Sequence, residues 1–359
     1  DAPTMWGNYG GTYPGAVAPW GMMQISPETS TRPDERGYYY RDSKILYFSL
    51  YDHKSGYPNG SAGTMKIALV RGTLDSIPRG YEGRAFNHNN EVARPGYYSV
   101  QMDDGDMVEV AAAPHSGMLR YSTSSAATTV AIIDRGLAVE DRCTVIAPRY
   151  HSVMRFSQKF SGFCHSGDTL FLHFGTCEPL LIETMCSATN RAGSEKNGAK
   201  ELQGGDFDAV SRATYQQWNN ELACVDVETA DADHKTMFYT ALYHAMLMPR
   251  NVADAGEEPR YAGFSAWDTF RTLHPLLALL KPSRQKAMTR SLYDEYEQRG
   301  MLHQGPMTGY HVLAILLDSY EKQATDLTIE EIYDAAETSY ERYLKRNGLQ
   351  PFDTQGYID

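Results

Sequence analysis

Three side chains that could hold a sugar occur within five residues, at Trp267, Asp268 and Arg271. The indole of Trp267 offers a flat face on which a sugar ring can stack, and the two charged groups can bind sugar hydroxyls through strong, directional hydrogen bonds. On one helix, Trp267 and Arg271 would share a face because they are four residues apart. The alternative is an Asp268–Arg271 ion pair beside a buried tryptophan at the start of a helix, because structural ion pairs outnumber functional ones.

The elements before this stretch have the pattern of β-strands. From about residue 37 to residue 210, apolar residues alternate with polar ones over short segments separated by turns. Tyr98–Met102 alternates in this way, and after the turn-forming Asp103–Asp106 the alternation resumes, so a hairpin is predicted. Leu170–Phe174 is apolar on both faces, which predicts a strand in the middle of a sheet. Because these strands follow one another without helices, the sequence predicts a large antiparallel β-sandwich.

The elements after residue 232 have the period of helices. Apolar residues recur every three or four positions in four segments, which predicts four helices. Their repeating residues are Met237, Ala241, His244 and Met248; then Met288, Leu292 and Tyr296; then Val312, Ile315, Leu316 and Ser319; the last helix runs from Thr328 to Lys345. Thr328 and Glu331 form a predicted capping box at the start of that last helix.

The change of pattern predicts the division of the chain. Residues 1–208 are predicted to form the sandwich domain. Residues 209–232 are predicted to be a linker that contains a connecting helix from Ala209 to Trp218. Residues 233–359 are predicted to form a helical domain.

Length and composition exclude several classes of function. A chain of 359 residues is long enough for two domains, since single cores stop growing at roughly 250–300 residues. The net charge of -12 argues against binding nucleic acid, whose phosphate backbone favours a basic surface. No run approaches the ~18 apolar residues of a transmembrane helix, so no membrane span is expected. Five cysteines without a C-x-x-C pair argue against a zinc site or a disulfide scaffold.

Four motifs in a fixed order, tens of residues apart, resemble those of a known family. They are Gly11-Thr-Tyr-Pro-Gly-Ala-Val-Ala-Pro-Trp-Gly-Met22 with Gln24-Ile-Ser-Pro-Glu-Thr29, Phe86-Asn-His-Asn-Asn-Glu-Val-Ala-Arg-Pro-Gly-Tyr-Tyr98, Phe238-Tyr-Thr-Ala-Leu-Tyr-His244, and Phe264-Ser-Ala-Trp-Asp-Thr-Phe-Arg271 with His274-Pro-Leu276. Together they resemble glycoside hydrolase family 92, the bacterial family of calcium-dependent, inverting, exo-acting α-mannosidases. The resemblance runs from one end of the sequence to the other.

The resemblance implies a fold and a set of site residues. The fold is a multidomain β + α arrangement, an N-terminal antiparallel β-sandwich followed by helices of a partial α/α toroid. Trp267 and Asp268 are implied to line the subsite for the terminal sugar, with Arg271 as a further contact or as the group that orients Asp268. Asp52-His53-Lys-Ser-Gly56 resembles another family motif, although the spacing differs by one residue and a lysine stands where leucine is usual. His53 is therefore a candidate substrate-binding residue, and the alternative is a structural histidine with satisfied hydrogen bonds.

The resemblance also implies an activity and its partners. It implies a glycoside hydrolase that removes terminal α-linked mannose from glycans by an inverting mechanism, with Ca²⁺ as cofactor. The implied partners are a mannose-terminated oligosaccharide or glycoprotein glycan and the remaining part of the catalytic domain. A secreted or periplasmic location is expected, and a chain that begins at Asp1 suits a processed product. The alternative function is a non-catalytic carbohydrate-binding β-sandwich module.

No catalytic group or metal ligand is assigned from the sequence. Inverting hydrolysis needs two carboxyl groups about 6.5–9.5 Å apart on opposite sides of the scissile bond, one of them protonated. No spacing among the carboxylates forces two of them to face each other, and no D-x-D-x-D-G calcium loop is present. Asp254, Glu257 and Glu258 form a charged loop before the sugar-binding stretch and are weak candidates for ligand contact. The resemblance implies that the acid, the base and most calcium ligands lie outside the given sequence.

Overall fold

A computed structural model of the chain describes residues 12–32, 35–53, 63–73, 82–175, 178–302 and 309–347. The chain forms two compact units. Unit 1 contains the described residues up to Ala223 together with 229–247 and 252–257. Unit 2 contains 224–228, 248–251 and the described residues from Glu258 onward.

Unit 1 is built on antiparallel strands. In chain order these are β1 (Ala16–Val17), β2 (Gln24–Glu28), β3 (Ser30–Arg32), β4 (Glu35–Gly37), β5 (Lys44–Ile45), β6 (Tyr47–Leu50), β7 (Met65–Arg71), β8 (Arg84–Arg94), β9 (Tyr97–Met102), β10 (Met107–Ala112), β11 (Ser116–Ser122), β12 (Thr128–Ile133), β13 (Ala138–Asp141), β14 (Thr144–Ala147), β15 (Ser152–Phe156), β16 (Gly162–Ser166), β17 (Thr169–Phe174) and β18 (Leu180–Met185). One sheet has the order β1-β2-β6-β7-β12-β17-β16, and the other has the order β13-β14-β15-β18-β11-β10-β9-β8-β5. The predicted hairpin is confirmed as β9 and β10, with Val100 opposite Val108.

The two sheets pack face to face through aromatic side chains. Phe48 of β6 lies 6.3 Å, ring to ring, from Tyr98 of β9 in the other sheet. Phe174 of β17 lies 5.5 Å from Phe156 of β15, again across the two sheets. All four rings are at most 4% exposed. Large buried rings of this kind contribute most of the hydrophobic stabilisation of such an interface, so the predicted β-sandwich is confirmed.

The strand Thr169–Phe174 departs from its predicted position. Apolarity on both faces predicts Leu170–Phe174 in the middle of a sheet, but β17 is second from the edge, next to β16. Leu170, Leu172 and Phe174 face the core, whereas Phe171 lies on the outer face against the small cluster of Ala68, Val70 and Ala131. An apolar residue on the outer face of a strand can pack on its neighbours in the same sheet, so apolarity on both faces did not indicate a central strand.

Two helices cover the outer face of the nine-stranded sheet. They are α1 (Arg191–Glu201) and α2 (Phe207–Leu222). Phe207 and Val210 of α2 pack with Met118 and Met185 of the sheet in one buried cluster. The predicted connecting helix from Ala209 to Trp218 is confirmed as the central part of α2.

Helix α1 was not predicted from the sequence. It contains two glycines and has no apolar stripe, so its helical propensity is low. Contacts within unit 1 hold it instead. Asn197 donates to the Cys186 carbonyl at 2.8 Å and to the Asp254 carboxylate at 2.9 Å. A Cβ at Gly193 would lie 2.3 Å from the same carboxylate, so the glycine permits the close approach.

The remaining helices follow α2. Unit 1 contains α3 (Ala232–Ala245). Unit 2 contains α4 (Ala266–Thr269), α5 (Leu273–Leu280), α6 (Pro282–Arg299), α7 (His311–Glu321) and α8 (Ile329–Asn347). Unit 2 also contains two short paired strands, β19 (Arg250–Asn251) and β20 (Tyr261–Ala262). The four predicted helices correspond to α3, α6, α7 and α8, whereas α4 and α5 were missed.

Among the residues that the structure describes, no helix is both long and apolar enough to cross a membrane. The predicted fold class is confirmed, whereas the boundaries at residues 208 and 232 stay predictions.

A buried chain of polar side chains joins three helices of unit 2. His274 of α5 is hydrogen-bonded through Nδ1 to Gln285 of α6 at 3.0 Å, and Gln285 donates to Ser319 of α7 at 2.8 Å. The three residues are at most 1% exposed. Burial lowers the pKa of His274 to about 4, against smaller raising effects of Gln285 and Asp318, so the imidazole is neutral at pH 7.

Helix α3 does not use the predicted stripe. Met237 is 59% exposed, and Leu242 is the buried residue within the helix. The residues of α3 that line a cavity of unit 1 share only His244 with that stripe and are spaced at three and four positions: Ala232, Lys235, Thr236, Tyr239, Thr240, Tyr243 and His244. They line an open cavity instead of filling a core, which is why apolar periodicity did not identify this face.

Candidate functional site

Trp267 lies in a half-exposed aromatic group of unit 2. Its side chain is 45% exposed, so it is not the buried tryptophan of the alternative interpretation. The indole lies 5.0 Å from the imidazole of His311, with the rings nearly perpendicular at 74°. His311 is the first residue of α7 and also lies 4.5 Å from the ring of Phe270. The indole is thus held by edge contact with His311 while part of it stays accessible to a ligand.

The expected single helix through Trp267 and Arg271 is wrong. Helix α4 ends at Thr269 and α5 begins at Leu273, so Arg271 lies in the turn between them. The physical reason is Pro275, which fits only the first turn of a helix and therefore favours a new helix start just before it. The two side chains consequently do not share a helix face.

Asp268 and Arg271 have separate partners. The Ser265 hydroxyl donates to Oδ2 of Asp268, and the backbone N–H of Asp268 donates to the Ser265 carbonyl at 3.0 Å. The Arg271 guanidinium lies 5.1 Å from the centre of the Phe270 ring. Within the described part of the chain no ion pair joins the two residues, so the ion-pair alternative is not realised. The other carboxylate oxygen of Asp268 and the Arg271 guanidinium, both on exposed side chains, can bind a ligand.

His311 is a residue of this group that the sequence analysis missed. It lies more than forty positions after Trp267, beyond the helices α5 and α6. The one available signal is that it precedes Ile315 by four residues, which places a histidine in the apolar register of α7. That signal alone is more typical of a packed histidine than of a site residue.

His53 lies in unit 1 and is buried. Its side chain is 1% exposed, and Nε2 lies 3.2 Å from the hydroxyl and 3.0 Å from the carbonyl of Ser49. The imidazole also lies 4.8 Å from the ring of Tyr13. This environment is typical of a structural histidine, and direct contact of His53 with a sugar stays a prediction. Lys54–Gly56 of the same motif lie outside the described residues.

Unit 1 contains an open cavity of about 730 Å³. Residues of three sequence motifs line it: Thr12, Tyr13 and Pro14 from the first, Ala93, Arg94 and Pro95 from the second, and Tyr239, Tyr243 and His244 from the third. Tyr13 lies between this cavity and His53, so His53 supports the cavity wall. The cavity is the feature of unit 1 that best fits a small ligand, because ligand sites are concave and predominantly apolar with a few polar groups.

Tyr38 of the cavity wall belongs to a hydrogen-bonded network centred on Glu91. The hydroxyls of Tyr38 and Tyr98 donate to the Glu91 carboxylate at 3.0 and 2.6 Å, and His88 Nδ1 lies 2.5 Å from it. Burial raises the pKa of Tyr38, as does the negative charge of Glu91, so this hydroxyl remains a donor at neutral pH. Tyr40 stacks on His88 at 4.1 Å. The network fixes Tyr38 against the cavity.

Two residues of the charged loop of Asp254, Glu257 and Glu258 have partners in this structure, and ligand contact by the loop stays a prediction. Asp254 is 4% exposed and accepts from Asn197, and Glu257 forms an ion pair with Lys196 at 3.2 Å. Within the described residues, no three His, Cys, Asp or Glu side chains are grouped so as to hold a metal ion. Ca²⁺ takes about six to eight oxygen ligands, often carboxylates, and the predicted calcium cofactor stays a prediction.

Comparison with protein families finds two matches that together cover nearly the whole chain. Residues 4–219 match the glycosyl hydrolase family 92 N-terminal domain, and residues 193–359 match the glycosyl hydrolase family 92 catalytic domain. A comparison with functionally curated proteins found no significant match.

Several solved structures have a similar fold. The family GH92 α-mannosidase BT3965 from Bacteroides thetaiotaomicron is 26% identical, with a TM-score of 0.81 over 92% of this chain and 55% of that protein. The family GH92 inverting mannosidase BT2199 from Bacteroides thetaiotaomicron VPI-5482 is 24% identical, with a TM-score of 0.83 over 97% of this chain and 56% of that protein. The second similarity concerns the fold alone.

The present chain spans about half the length of these solved structures, 55% of one and 56% of the other. The N-terminal domain match alone covers more than half of the 359 residues, and the catalytic-domain match extends from it to the last residue. The chain therefore belongs to glycoside hydrolase family 92.

Proposed function

We propose that the full-length protein containing this chain is an α-mannosidase that removes terminal α-linked mannose from glycans. The observation that carries the proposal is the half-exposed Trp267 beside Asp268, whose second carboxylate oxygen is free of partners among the described residues. Support also comes from the relative BT3965, which is an α-mannosidase and has a structure in complex with mannoimidazole. The match of residues 193–359 to a catalytic domain disfavours the alternative of a non-catalytic sugar-binding module.

Each residue of the group around Trp267 has a separate role in binding the sugar. The indole of Trp267 stacks on the C–H face of the mannosyl ring, and His311 keeps the indole in place. Asp268 accepts hydrogen bonds from ring hydroxyls, and Ser265 orients its carboxylate. Arg271 donates to a hydroxyl of the same sugar. These groups bind and orient, and they would raise the rate by holding the glycosidic bond in position for groups elsewhere in the protein.

Mutation of Trp267 tests this assignment. Trp267→Ala in the full-length protein should lower kcat/KM for terminal α-mannosides at least about 100-fold, because the stacking surface that positions the ring is lost. The melting temperature should fall little, since changes at half-exposed positions usually cost about 0.5 kcal/mol or less. The measurement is the hydrolysis of an aryl α-mannoside, followed at several substrate concentrations.

Tyr215→Ala is the matched control, because Tyr215 is 48% exposed and lies on α2 of unit 1. It should keep the parental kcat/KM. If Trp267→Ala retains the parental activity, or if both variants lose activity equally, the assignment of Trp267 is wrong.

Calcium dependence and inversion form the second part of the proposal. Both are supported by family resemblance alone. The described residues contain no group of three or more His, Cys, Asp or Glu side chains that could hold the metal ion. Chelation with EDTA should abolish hydrolysis and added Ca²⁺ should restore it, and NMR should detect β-mannose as the first product. Full activity in EDTA, or α-mannose as the first product, would contradict this part.

The partners of the chain are proposed on similar grounds. The substrate is a mannose-terminated oligosaccharide or glycoprotein glycan, and secretion or export to the periplasm would bring the protein to such glycans. The remaining part of the catalytic domain is proposed to cover apolar side chains that unit 2 leaves exposed. Leu279 of α5 is 76% exposed, and Tyr333 of α8 is 62% exposed. Exposed apolar side chains of this size are candidates for contact with another part of the protein.

A further inference from the structure

The open cavity of unit 1 has a positive charge that no acidic side chain of its wall offsets. Its volume of about 730 Å³ is in the usual range for ligand sites, about 300–1,000 Å³. Arg94 and Lys235 contribute cationic groups to the wall, and the described residues that line it include no aspartate or glutamate. The chain as a whole has a net charge of -12, so this cavity differs in sign from most of the surface. Cavities lined by one sign of charge raise the local concentration of ligands of opposite charge.

The two cations are available to a ligand. The Arg94 guanidinium lies 4.3 Å from the centre of the Tyr97 ring, and this contact orients it without neutralising it. Within the described parts of the chain neither Arg94 nor Lys235 forms an ion pair. The acidic residues that most closely precede Lys235 in sequence are Asp231 and Asp233, and neither lines the cavity. Asp231 caps α3 by accepting from the N–H groups of Asp233 and His234.

Histidine adds no charge to the wall. Desolvation lowers the pKa of His244, so its imidazole is neutral at pH 7 and can donate or accept a hydrogen bond. The positive charge of the cavity therefore comes from Arg94 and Lys235.

The tyrosine side chains of the cavity wall are held in place by contacts with residues that do not line the cavity. Tyr38 is tied to Glu91 through its hydroxyl at 3.0 Å, and Tyr243 lies 4.4 Å from the indole of Trp218. Tyr13 lies 4.8 Å, ring to ring, from His53, which does not line the cavity. Rings held in this way present apolar faces with little entropy to lose on binding, and such faces suit the C–H side of a sugar ring.

We propose that this cavity binds an acidic saccharide unit, a sugar ring that carries a phosphate or a carboxylate group. Arg94 and Lys235 bind the anionic group through charge-assisted hydrogen bonds, and Tyr13, Tyr38 and Tyr243 contact the ring. The inference rests on the proposed function only in taking the ligand to be a saccharide. At this site the enzyme would bind charged glycans with residues other than Trp267.

Binding of four probes to the full-length protein tests the inference. The probes are mannose 6-phosphate, glucuronate, inorganic phosphate and methyl α-mannoside, each titrated calorimetrically against the Trp267→Ala variant so that binding at Trp267 is removed. Mannose 6-phosphate or glucuronate should bind at least about 10-fold tighter than methyl α-mannoside, because an ionised partner strengthens the hydrogen bonds. Which of the two acids binds tighter identifies the anionic group. Inorganic phosphate that binds as tightly as both sugars would show that the rings contribute nothing and would overturn the proposal.

Charge-removing variants identify the residues. Arg94→Gln and Lys235→Gln should each weaken binding of the acidic sugar about 10-fold, the loss typical of one charge-assisted contact. Arg212→Gln is the matched control, an exposed arginine of α2 that does not line the cavity, and it should bind as the parent does. Unchanged affinity in both cavity variants, or an equal loss in Arg212→Gln, would overturn the assignment. Circular dichroism of each variant confirms that it is folded.

The outcomes separate this inference from the proposed function. An enzyme that hydrolyses α-mannosides but binds acidic sugars equally well without Arg94 and Lys235 would refute the inference alone. A protein that hydrolyses no α-mannoside but binds mannose 6-phosphate through these two cations would refute the proposed function alone.

Discussion

Asp106 shows how a single buried charge can stabilise unit 1. Its side chain is fully buried, yet it accepts hydrogen bonds from the guanidinium groups of Arg71 and Arg84 and from the Tyr121 hydroxyl. Burial alone would raise the pKa of this carboxyl, but the hydrogen bonds from Arg71, Tyr121 and Arg84, with one from Thr123, outweigh it, and the pKa is well below its usual range. Removing one partner of a buried charge pair is costly because the other charge then stays buried without compensation.

Asp106→Asn should therefore lower the free energy of unfolding by about 3–5 kcal/mol at pH 7. Because the pKa of Asp106 is lowered in the folded state, its contribution is complete above about pH 4, near the pKa of an unfolded aspartate, and is lost as the pH falls further. The parent should accordingly lose stability below about pH 4 more steeply than the variant. Urea denaturation at several pH values measures both effects.

Asp208→Asn provides the comparison, because Asp208 pairs with Arg120 at 3.3 Å with its side chain 61% exposed. It should cost about 0–1 kcal/mol, as exposed pairs do. A loss for Asp106→Asn no larger than for Asp208→Asn would contradict this account of the buried network.

The residue types of the candidate site could be predicted from the sequence, but their contacts could not. Trp267, Asp268 and Arg271 stand out because a stacking surface and two polar groups occur close together. The contact with His311 depends on how α4 and α7 pack, and no local spacing encodes that. The same holds for Tyr38 and Glu91, which are more than fifty residues apart and meet only after the strands pair.

At the scale of elements, the start of α8 was predicted in detail. The Thr328 hydroxyl accepts from the Glu331 N–H at 3.2 Å, and the Glu331 carboxylate accepts from the Thr328 N–H at 2.7 Å. Both bonds satisfy N–H groups that have no partner in the first turn of a helix. The predicted capping box is therefore confirmed.

Thr328→Ala should lower the free energy of unfolding of the full-length protein by about 1 kcal/mol, the usual cost of removing an N-cap side chain. Thr338→Ala, a change of the same type inside α8, should be neutral or slightly stabilising, because alanine is the better helix former. Thermal or urea denaturation compares the two variants. An equal effect of both would mean that the cap contributes nothing to stability.

Elements were predictable where one face packs against a core. In α7 the predicted residues Val312, Ile315, Leu316 and Ser319 are all buried, because periodicity and packing coincide. In α3 they do not coincide, since the inward face lines a cavity and the apolar Met237 is exposed. In α1 the helix depends on contacts of Asn197 with Cys186 and Asp254, which are distant in sequence.

At the scale of the whole molecule, alternation of apolar residues was sufficient to predict a sandwich but not the strand order. The seven-stranded sheet places β12 between β7 and β17, and the nine-stranded sheet places β11 between β18 and β10. Apart from the consecutive pair β10 and β11, these neighbours come from separate parts of the sequence, so local pattern does not encode the strand order. The resemblance of four motifs, in contrast, identified the family correctly because those motifs keep their order along the chain.

The path of the chain between the two units has a practical consequence for dissecting the protein. Residues 224–228 and 248–251 belong to unit 2, while 229–247 and 252–257, between and after them, return to unit 1. The backbone thus passes from one unit to the other several times within about thirty-five residues. A protease that nicks the chain after residue 228, 247 or 251 leaves each unit composed of the same two fragments. A truncated gene that stops at residue 232 would code for a sandwich without the helix that borders its cavity.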